Sequence, residues 1–325
     1  FSAKEDPFAP CASSYAYEPN GNLTFKSDVG ALSYSDPAHP HAVTSAGGGS
    51  FVYDAVGNQL SPPGGGIVAY TPFDLPKTIT QGATSISFGY DGDEKRIRKT
   101  TPDKETLYFE DLYERVTIKK PVVKVEHRYF VHSPERVIAV VTRGGDKPGT
   151  LYVHADNLGS VDALTNEGGG VEERRSYDVF GQRRNPVWGQ APPAGFSSKT
   201  TMGFTGHESD DELGLVNMKG RLFDPKLGRF ITTDPIISDL YDGQSLNAYS
   251  YVTNNPLAFV DPTGFSEEPA GLLPGPNTQL GPDGELEIVI RGRPKEKETN
   301  DTASAAEVGA AAPPTDVDTT GSSPD

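Results

Sequence analysis

Cysteine is almost missing from this sequence: Cys11 stands alone among 325 residues. An internal disulfide framework is therefore excluded, although this leaves the compartment open. Long apolar stretches are missing as well. No run of 18 apolar residues occurs, so no transmembrane helix is expected. Positive charge is scarce. There are 29 Lys and Arg against 45 Asp and Glu, a net charge of -16. Nucleic-acid binding needs a basic patch. The runs at Lys95–Lys99 and Arg174–Arg184 are short and mixed with acids, so no nucleic-acid partner is expected. A signal peptide is also missing, and the chain starts at Phe1 rather than Met. We read that start as a cut end of a longer protein, with any export signal upstream.

What is plentiful points the other way, toward turns. Gly (36) and Pro (28) make up about a fifth of the chain, above the usual share of roughly 12%. Tyr (14) and Phe (15) supply nearly all the aromatic surface, the natural packing material of short strands. Length alone allows about two domains.

The tyrosines are ordered. Tyr17-Glu18-Pro19-Asn20-Gly21-Asn22-Leu23 is echoed by Tyr53-Asp54-Ala55-Val56-Gly57-Asn58-Gln59-Leu60, and Tyr177-Asp178-Val179-Phe180-Gly181 is a third copy. Tyrosines 17, 34, 53, 70, 90 and 108 lie 17 to 20 residues apart. That spacing suits one hairpin per unit, with Tyr ending a strand, its ring inward, and Asp/Asn and Gly supplying the tight turn. Ser85–Tyr90 and Val122–Val131 alternate as strands do. Single hairpins are marginal in water, so the units must pair sideways into a long sheet. The alternative is an ordinary sandwich with scattered Tyr-Gly turns; the period held through six units favours the repeat. The expected fold class is all-β.

The text changes at about residue 150, giving repeats over 1–150, a denser block over 151–265 and a tail over 266–325. The tail holds 12 Asp/Glu against 4 Lys/Arg and no aromatic residue. It cannot bury enough apolar surface to offset its ordering entropy and is expected to be disordered, with one strand-like stretch at Glu285–Arg291.

These residues resemble the Rhs, or YD-repeat, family. Tyr17–Leu23 and Tyr53–Leu60 are similar to its YDxxGN unit, and Asp36–Val43 to a common variant. The ordered text Gly228-Arg229-Phe230, Asp234-Pro235, Asn247-Ala248-Tyr249-Ser250-Tyr251, Asn254-Asn255-Pro256 and Asp261-Pro262-Thr263-Gly264 resembles the Rhs-associated core domain. The resemblance covers about residues 15–265. It implies strands spiralling into part of a hollow shell that encloses a C-terminal segment, in secreted or surface-borne bacterial toxins and relatives. The expected partners are the chain's own C-terminal segment, a missing N-terminal shell and secretion-system components.

The resemblance also implies chemistry. Two aspartates and an arginine of the core are implicated in releasing the C-terminal segment, and they match Asp234, Asp261 and Arg221. Two close carboxylates share one proton and act as an aspartic protease, and the arginine holds one carboxylate ionised or steadies an oxyanion. The cut would fall between Phe265 and Ser266, where cleaving members commonly carry Leu in place of Phe265. The plain alternative is that Asp224, Asp234 and Asp261 merely start Asp-Pro turns. A non-enzymatic surface or carbohydrate-binding role is the competing function.

Other candidates are weaker. His154 with Asp156, and His207 with Glu208, lack metal-ligand spacing and read as core hydrogen-bonders. His39 and His41 flank Pro40 as turn residues. Arg229 is expected to pair with a carboxylate of the core. Ser160 lacks a Gly-x-Ser-x-Gly elbow. No cofactor, metal or metabolic activity is expected.

Overall fold

Short antiparallel strands joined by tight turns make up nearly all the regular structure of the computed structural model, which describes residues 13–61, 64–187, 198–270, 278–280 and 286–288. The chain divides into two units, Phe1–Ile288 and Val289–Asp325. All the described residues lie in the first. Among them there is no α-helix, only 3-10 turns at Phe204–Gly206 and Val252–Asn254.

The first sheet orders β1 (Tyr15–Tyr17), β2 (Leu23–Lys26), β3 (Gly30–Ser33), β4 (Ser45–Ala46) and β5 (Gly49–Ser50). An eleven-stranded sheet follows. Its strands are β6 (Ile67–Tyr70), β7 (Pro76–Gln81), β8 (Thr84–Tyr90), β9 (Arg96–Thr100), β10 (Lys104–Phe109) and β11 (Tyr113–Ile118). They continue through β12 (Lys124–His132), β13 (Val137–Gly144), β14 (Gly149–Ala155), β15 (Val161–Thr165) and β16 (Val171–Arg174). Every strand of both sheets pairs with its neighbours in sequence. That is the meander expected of stacked hairpin units. The sheet runs unbroken through residue 150, which lies in β14.

The repeat has a definite chemistry. Tyr17, Tyr70 and Tyr90 each end a strand at a bulge. The hydroxyls of Tyr34, Tyr53, Tyr70 and Tyr90 donate to the backbone carbonyls of Leu23, Val43, Gln59 and Pro76, at 2.9, 2.9, 2.7 and 2.8 Å. Each acceptor lies 10 to 14 residues before its tyrosine, so the hydroxyl ties the end of a unit back to its beginning as well as the ring filling space. Tyr17 differs: it is 41% exposed, on β1, which has one partner strand among the described residues. After the tyrosine comes an aspartate bracket. Oδ1 of Asp54 accepts from the amides of Val56 and Asn58, and Asp178 does the same for Phe180 and Gln182. Gly57 and Gly181 close these turns at φ of 93° and 83°, where a Cβ is strained.

The denser block packs between the two sheets. Its strands are β17 (Ser176–Tyr177), β18 (Arg183–Arg184), β19 (Glu208–Asp210), β20 (Leu215–Asn217), β21 (Leu222–Asp224) and β22 (Arg229–Phe230). Phe180, Phe204, Phe223 and Tyr251 bury with Leu23 and Leu32 of the first sheet and Val43 of its β3–β4 loop. Leu213, Leu215, Leu222 and Ile231 bury with Val68, Ile79, Ile86 and Phe88 of the long sheet. Ion pairs seal both contacts. Lys26 is fully buried and lies 2.7 Å from Asp178. Arg96 and Lys99 of β9 converge on Asp210 of β19. Arg96 and Lys99 belong to the short basic run at Lys95–Lys99 and turn inward, while Lys95 and Arg98 of that run stay exposed.

The chain then forms a hairpin of β23 (Phe259–Val260) and β24 (Glu268–Pro269). In the tail, β25 (Thr278–Leu280) pairs with β26 (Leu286–Ile288). The strand-like stretch therefore does pair, while the rest of the expected disordered tail beyond residue 270 lies outside the described residues.

Candidate active site

Three elements bring the site together. Arg221 immediately precedes β21. Asp234 follows β22, its amide donating to the carbonyl of Ala248 at 2.9 Å. Asp261 follows β23, at the start of the loop that carries Phe265 and Ser266. The predicted residues Arg221, Asp234 and Asp261 therefore meet. Nη2 of Arg221 lies 2.7 Å from Oδ2 of Asp234 and 3.6 Å from Oδ2 of Asp261. The carboxylates make no direct hydrogen bond with each other; the guanidinium stands between them. Its Nε donates to the carbonyl of Gly264, and its Nη1 to that of Ala248 at 3.1 Å. Its central carbon lies over the ring of Phe230, 3.6 Å from the centroid, a cation–π contact that helps hold it in place.

Asp261 shows how a turn residue and a site residue can be one side chain. Its Oδ1 accepts from the amides of Thr263, Gly264, Phe265 and Ser266 at 3.3, 2.8, 3.0 and 3.1 Å. This is the repeat's aspartate bracket extended over a longer loop. Oδ2 stays free of the bracket and faces Arg221. Asp234 likewise uses Oδ1 in a turn, accepting from Ile236 at 2.9 Å, and Oδ2 for Arg221. Asp224, the third Asp-Pro aspartate, is only a turn residue: its Oδ1 accepts from Lys226 and Leu227.

Burial sets the electrostatics. It pushes the carboxyls of Asp234 and Asp261 upward, against the opposing pull of Arg221. It also lowers Arg221 to about 10, so the guanidinium remains charged at neutral pH. Glu268 of β24, which sequence reasoning missed, is raised by its burial and by the charge of Asp261. One cation thus faces two carboxyl groups, with a third, Glu268, close enough to feel the charge of Asp261. Retaining a proton neutralises the excess charge that a buried site tolerates poorly.

The expected cut, Phe265–Ser266, lies in the loop that Asp261 brackets. Phe265 is half-buried and Ser266 exposed. Of the remaining candidates, His207 borders the site and His154 and Arg229 lie apart from it. His207 is buried between Oγ1 of Thr205, at 2.8 Å, and the carbonyl of Pro262, at 3.4 Å. Burial holds it down to about 4, so it stays neutral. His154 is exposed on β14, against Thr165, and is not a core hydrogen-bonder, because its strand turns it to solvent. Arg229 is also corrected. Among the described residues it pairs with no carboxylate; its partners are the carbonyls of Gly228 and Gly21 and the side-chain oxygen of Asn254, at 3.0, 3.0 and 2.7 Å. The turn of the first repeat brings neutral oxygens, rather than an acid, to that buried position. Asn254 and Asn247 reach the same turn, at Gly21 and Asn22, and Tyr249 donates to Gly57 in the second repeat's turn at 2.7 Å. These motif residues therefore clamp the repeats. Among the described residues no cluster of His, Cys, Asp and Glu has the arrangement of a metal site.

A family profile described as the teneurin YD-shell matches residues 9–257. The chain belongs to this YD-shell family. It is 27% identical over 227 residues to the tRNA3(Ser)-specific nuclease WapA of Bacillus spizizenii, covering 66% of this chain and 9% of that protein. It is 26% identical over 265 residues to the double-stranded DNA deaminase toxin A of Burkholderia cenocepacia, covering 78% and 17%. The YD-shell chain thus spans less than a fifth of these curated relatives. Among solved structures, the TcdB2-TccC3-Cdc42 crystal structure matches with a TM-score of 0.62 at 19% identity, covering 78% of this chain and 13% of that one. That likeness establishes the fold: spiralling hairpins of a YD shell.

Proposed function

We propose that this chain is the closing segment of a secreted or surface-borne YD shell, and that it cuts its own backbone between Phe265 and Ser266 to free the segment that follows. The observation that carries this reading is the convergence of Asp234, Asp261 and the Gly264 carbonyl on the single guanidinium of Arg221. That convergence sets two carboxyl groups of raised proton affinity beside a loop whose amides are already held.

Asp234 is the more exposed of the pair, with 16% of its side chain open against 4% for Asp261, and Arg221 keeps it ionised. It takes a proton from water as the water oxygen adds to the carbonyl carbon of Phe265. Asp261, protonated on Oδ2, gives its proton to the carbonyl oxygen. The bond from the Phe265 carbon to the Ser266 nitrogen then breaks. The nitrogen takes the proton held by Asp234, and the diol returns one to Asp261. One water is consumed, and a carboxyl and an amino terminus result. Because the bond is held in place intramolecularly, a modest site suffices.

The test is electrophoresis and intact mass of the expressed full chain. Wild type should release 266–325 with Ser266 at its amino terminus, and Asp234→Asn should abolish the fragment. An unchanged yield from Asp234→Asn refutes the mechanism. A non-enzymatic shell would use the same contacts only to tie down the loop, and it predicts no fragment from wild type.

A further inference from the structure

The residue before the expected cut sits on a surface that only glycine can offer. The amide of Gly220 donates to the carbonyls of Thr263 and Met218, both at 2.9 Å. That straps its backbone to the loop carrying Phe265. A Cβ placed on Gly220 would meet three atoms of the Phe265 ring at 2.1, 2.5 and 2.6 Å, and these are the nearest atoms around it. Real Cβ atoms do not approach so closely. The ring therefore lies directly on the Gly220 backbone. Its other neighbour is Arg221, whose guanidinium carbon is 5.7 Å from the ring centroid. The Phe265 amide is fixed as well, donating to Oδ1 of Asp261 at 3.0 Å and to Oγ1 of Thr263 at 3.2 Å.

We propose that Gly220 is the floor of a subsite that selects the side chain on the amino side of the cut, admitting the flat ring of Phe265 by having no side chain of its own. This rests on the self-cutting reading above. Gly220 is a positioning residue: it touches the side chain next to the reacting bond, not the reacting atoms. An alanine there must displace the ring. Because the loop backbone is held at Asp261 and Thr263, the displacement tilts the adjoining peptide relative to Asp234 and Asp261. A misplacement of the order of 1 Å slows a positioned reaction about 100-fold. A narrower, non-planar side chain at 265 can clear the added methyl, so the preference at that position should move from Phe toward Leu.

The experiment uses the full chain as wild type, Gly220→Ala, Phe265→Leu and the double variant. Fragment release is followed over time, and thermal melting is measured for the same set carrying Asp234→Asn to block cutting. Gly220→Ala should cut about 100-fold more slowly, and adding Phe265→Leu should restore a rate close to wild type. In the uncut background, Gly220→Ala should lower the melting midpoint and Phe265→Leu should recover it, showing that the two positions touch. A Gly220→Ala chain that cuts like wild type, or a double variant that melts normally yet is no faster than Gly220→Ala, overturns the subsite while the self-cutting reading stands. A wild type that yields no fragment, even with the melting coupling present, overturns the self-cutting reading itself and reduces the contact to packing.

Discussion

Asp210→Ala should be among the most damaging single changes outside the aromatic core. Asp210 is fully buried on β19. It takes a two-pronged bond from Arg96, 3.0 Å at each oxygen, and Nζ of Lys99 at 2.7 Å. Burial alone would raise its carboxyl, but Arg96 and Lys99 outweigh that and hold it below the usual range. Removing one partner of a buried ion pair costs about 3–5 kcal/mol, because the remaining charge is left uncompensated. Here Arg96 keeps Glu208 at 3.0 Å and Lys99 keeps Glu212 at 2.9 Å, which places the loss near the lower end, about 3 kcal/mol. For a unit of this size that is roughly a 6–12 °C fall in the unfolding midpoint. The contrast lies in the combined variant Arg96→Met, Lys99→Met, Glu208→Gln, Asp210→Leu, in which Glu208 is neutralised because it would otherwise lose Arg96. It leaves no cation stranded at Asp210 and should recover most of the loss, since apolar packing commonly replaces a buried ion network at little cost. Thermal and urea unfolding of both variants decides it. A loss below about 1 kcal/mol for Asp210→Ala, or a combined variant less stable than the single one, would refute the claim that this cluster joins the long sheet to the core block.

Two further predictions follow from neighbouring groups. Glu114 is raised from 4.5 to about 7, chiefly by burial and then by Glu208. The native state therefore keeps a proton between about pH 4.5 and 7 that the unfolded chain has lost, and stability falls as pH rises through that window. Glu114→Gln should match wild type near pH 4 and exceed it by roughly 3 kcal/mol at pH 8, as read from unfolding midpoints across pH. In wild type His207 slopes the other way: held at about 4 against 6.5, it contributes stability above pH 6.5 that is lost as pH falls through 4, so the two partly cancel between them. For the repeat, Tyr70→Phe removes only the hydroxyl that donates to Gln59 at 2.7 Å. It should cost about 1–2 kcal/mol, and adding Tyr34→Phe, two units away, should add to it independently.

Much of the fold was legible because its unit is local. Tyrosine, aspartate and glycine lie within five residues of one another in Tyr53–Gly57, and each acts on that stretch or on the hairpin before it. The Tyr-Asp-Gly spacing therefore carries both turn and register. The partner of a buried charge was not legible. Arg229 was assigned a carboxylate and instead binds the carbonyl of Gly21, 208 residues away, because nothing near Arg229 in sequence names the turn that folds onto it. Arg96 and Lys99 looked like part of a weak basic run; only the seating of β9 against β19 makes them interior. His154 and His207 look equivalent as text, yet one faces solvent and the other is sealed against Thr205 and Pro262.

By itself the sequence determined that this is an all-β chain of stacked hairpins, that its Asp-Pro turns sit at the carboxyl boundary, and that Asp234, Asp261 and Arg221 are the residues to watch. The hairpins and the turns follow from short-range rules: φ at glycine, the fixed φ of proline and the period of two along a strand; the three site residues follow only from the resemblance of the core block to the Rhs-associated core domain. The tertiary structure decided which aspartates meet. Asp224, Asp234 and Asp261 all start Asp-Pro turns with Oδ1, and only for the last two does Oδ2 reach Arg221, since β21, β22 and β23 arrive there from separate stretches of chain. It also decided that Phe265 lies on Gly220, a contact set by the hydrogen bond from Gly220 to Thr263 across the loop. Convergence of distant segments is a property of packing, and no local pattern encodes it.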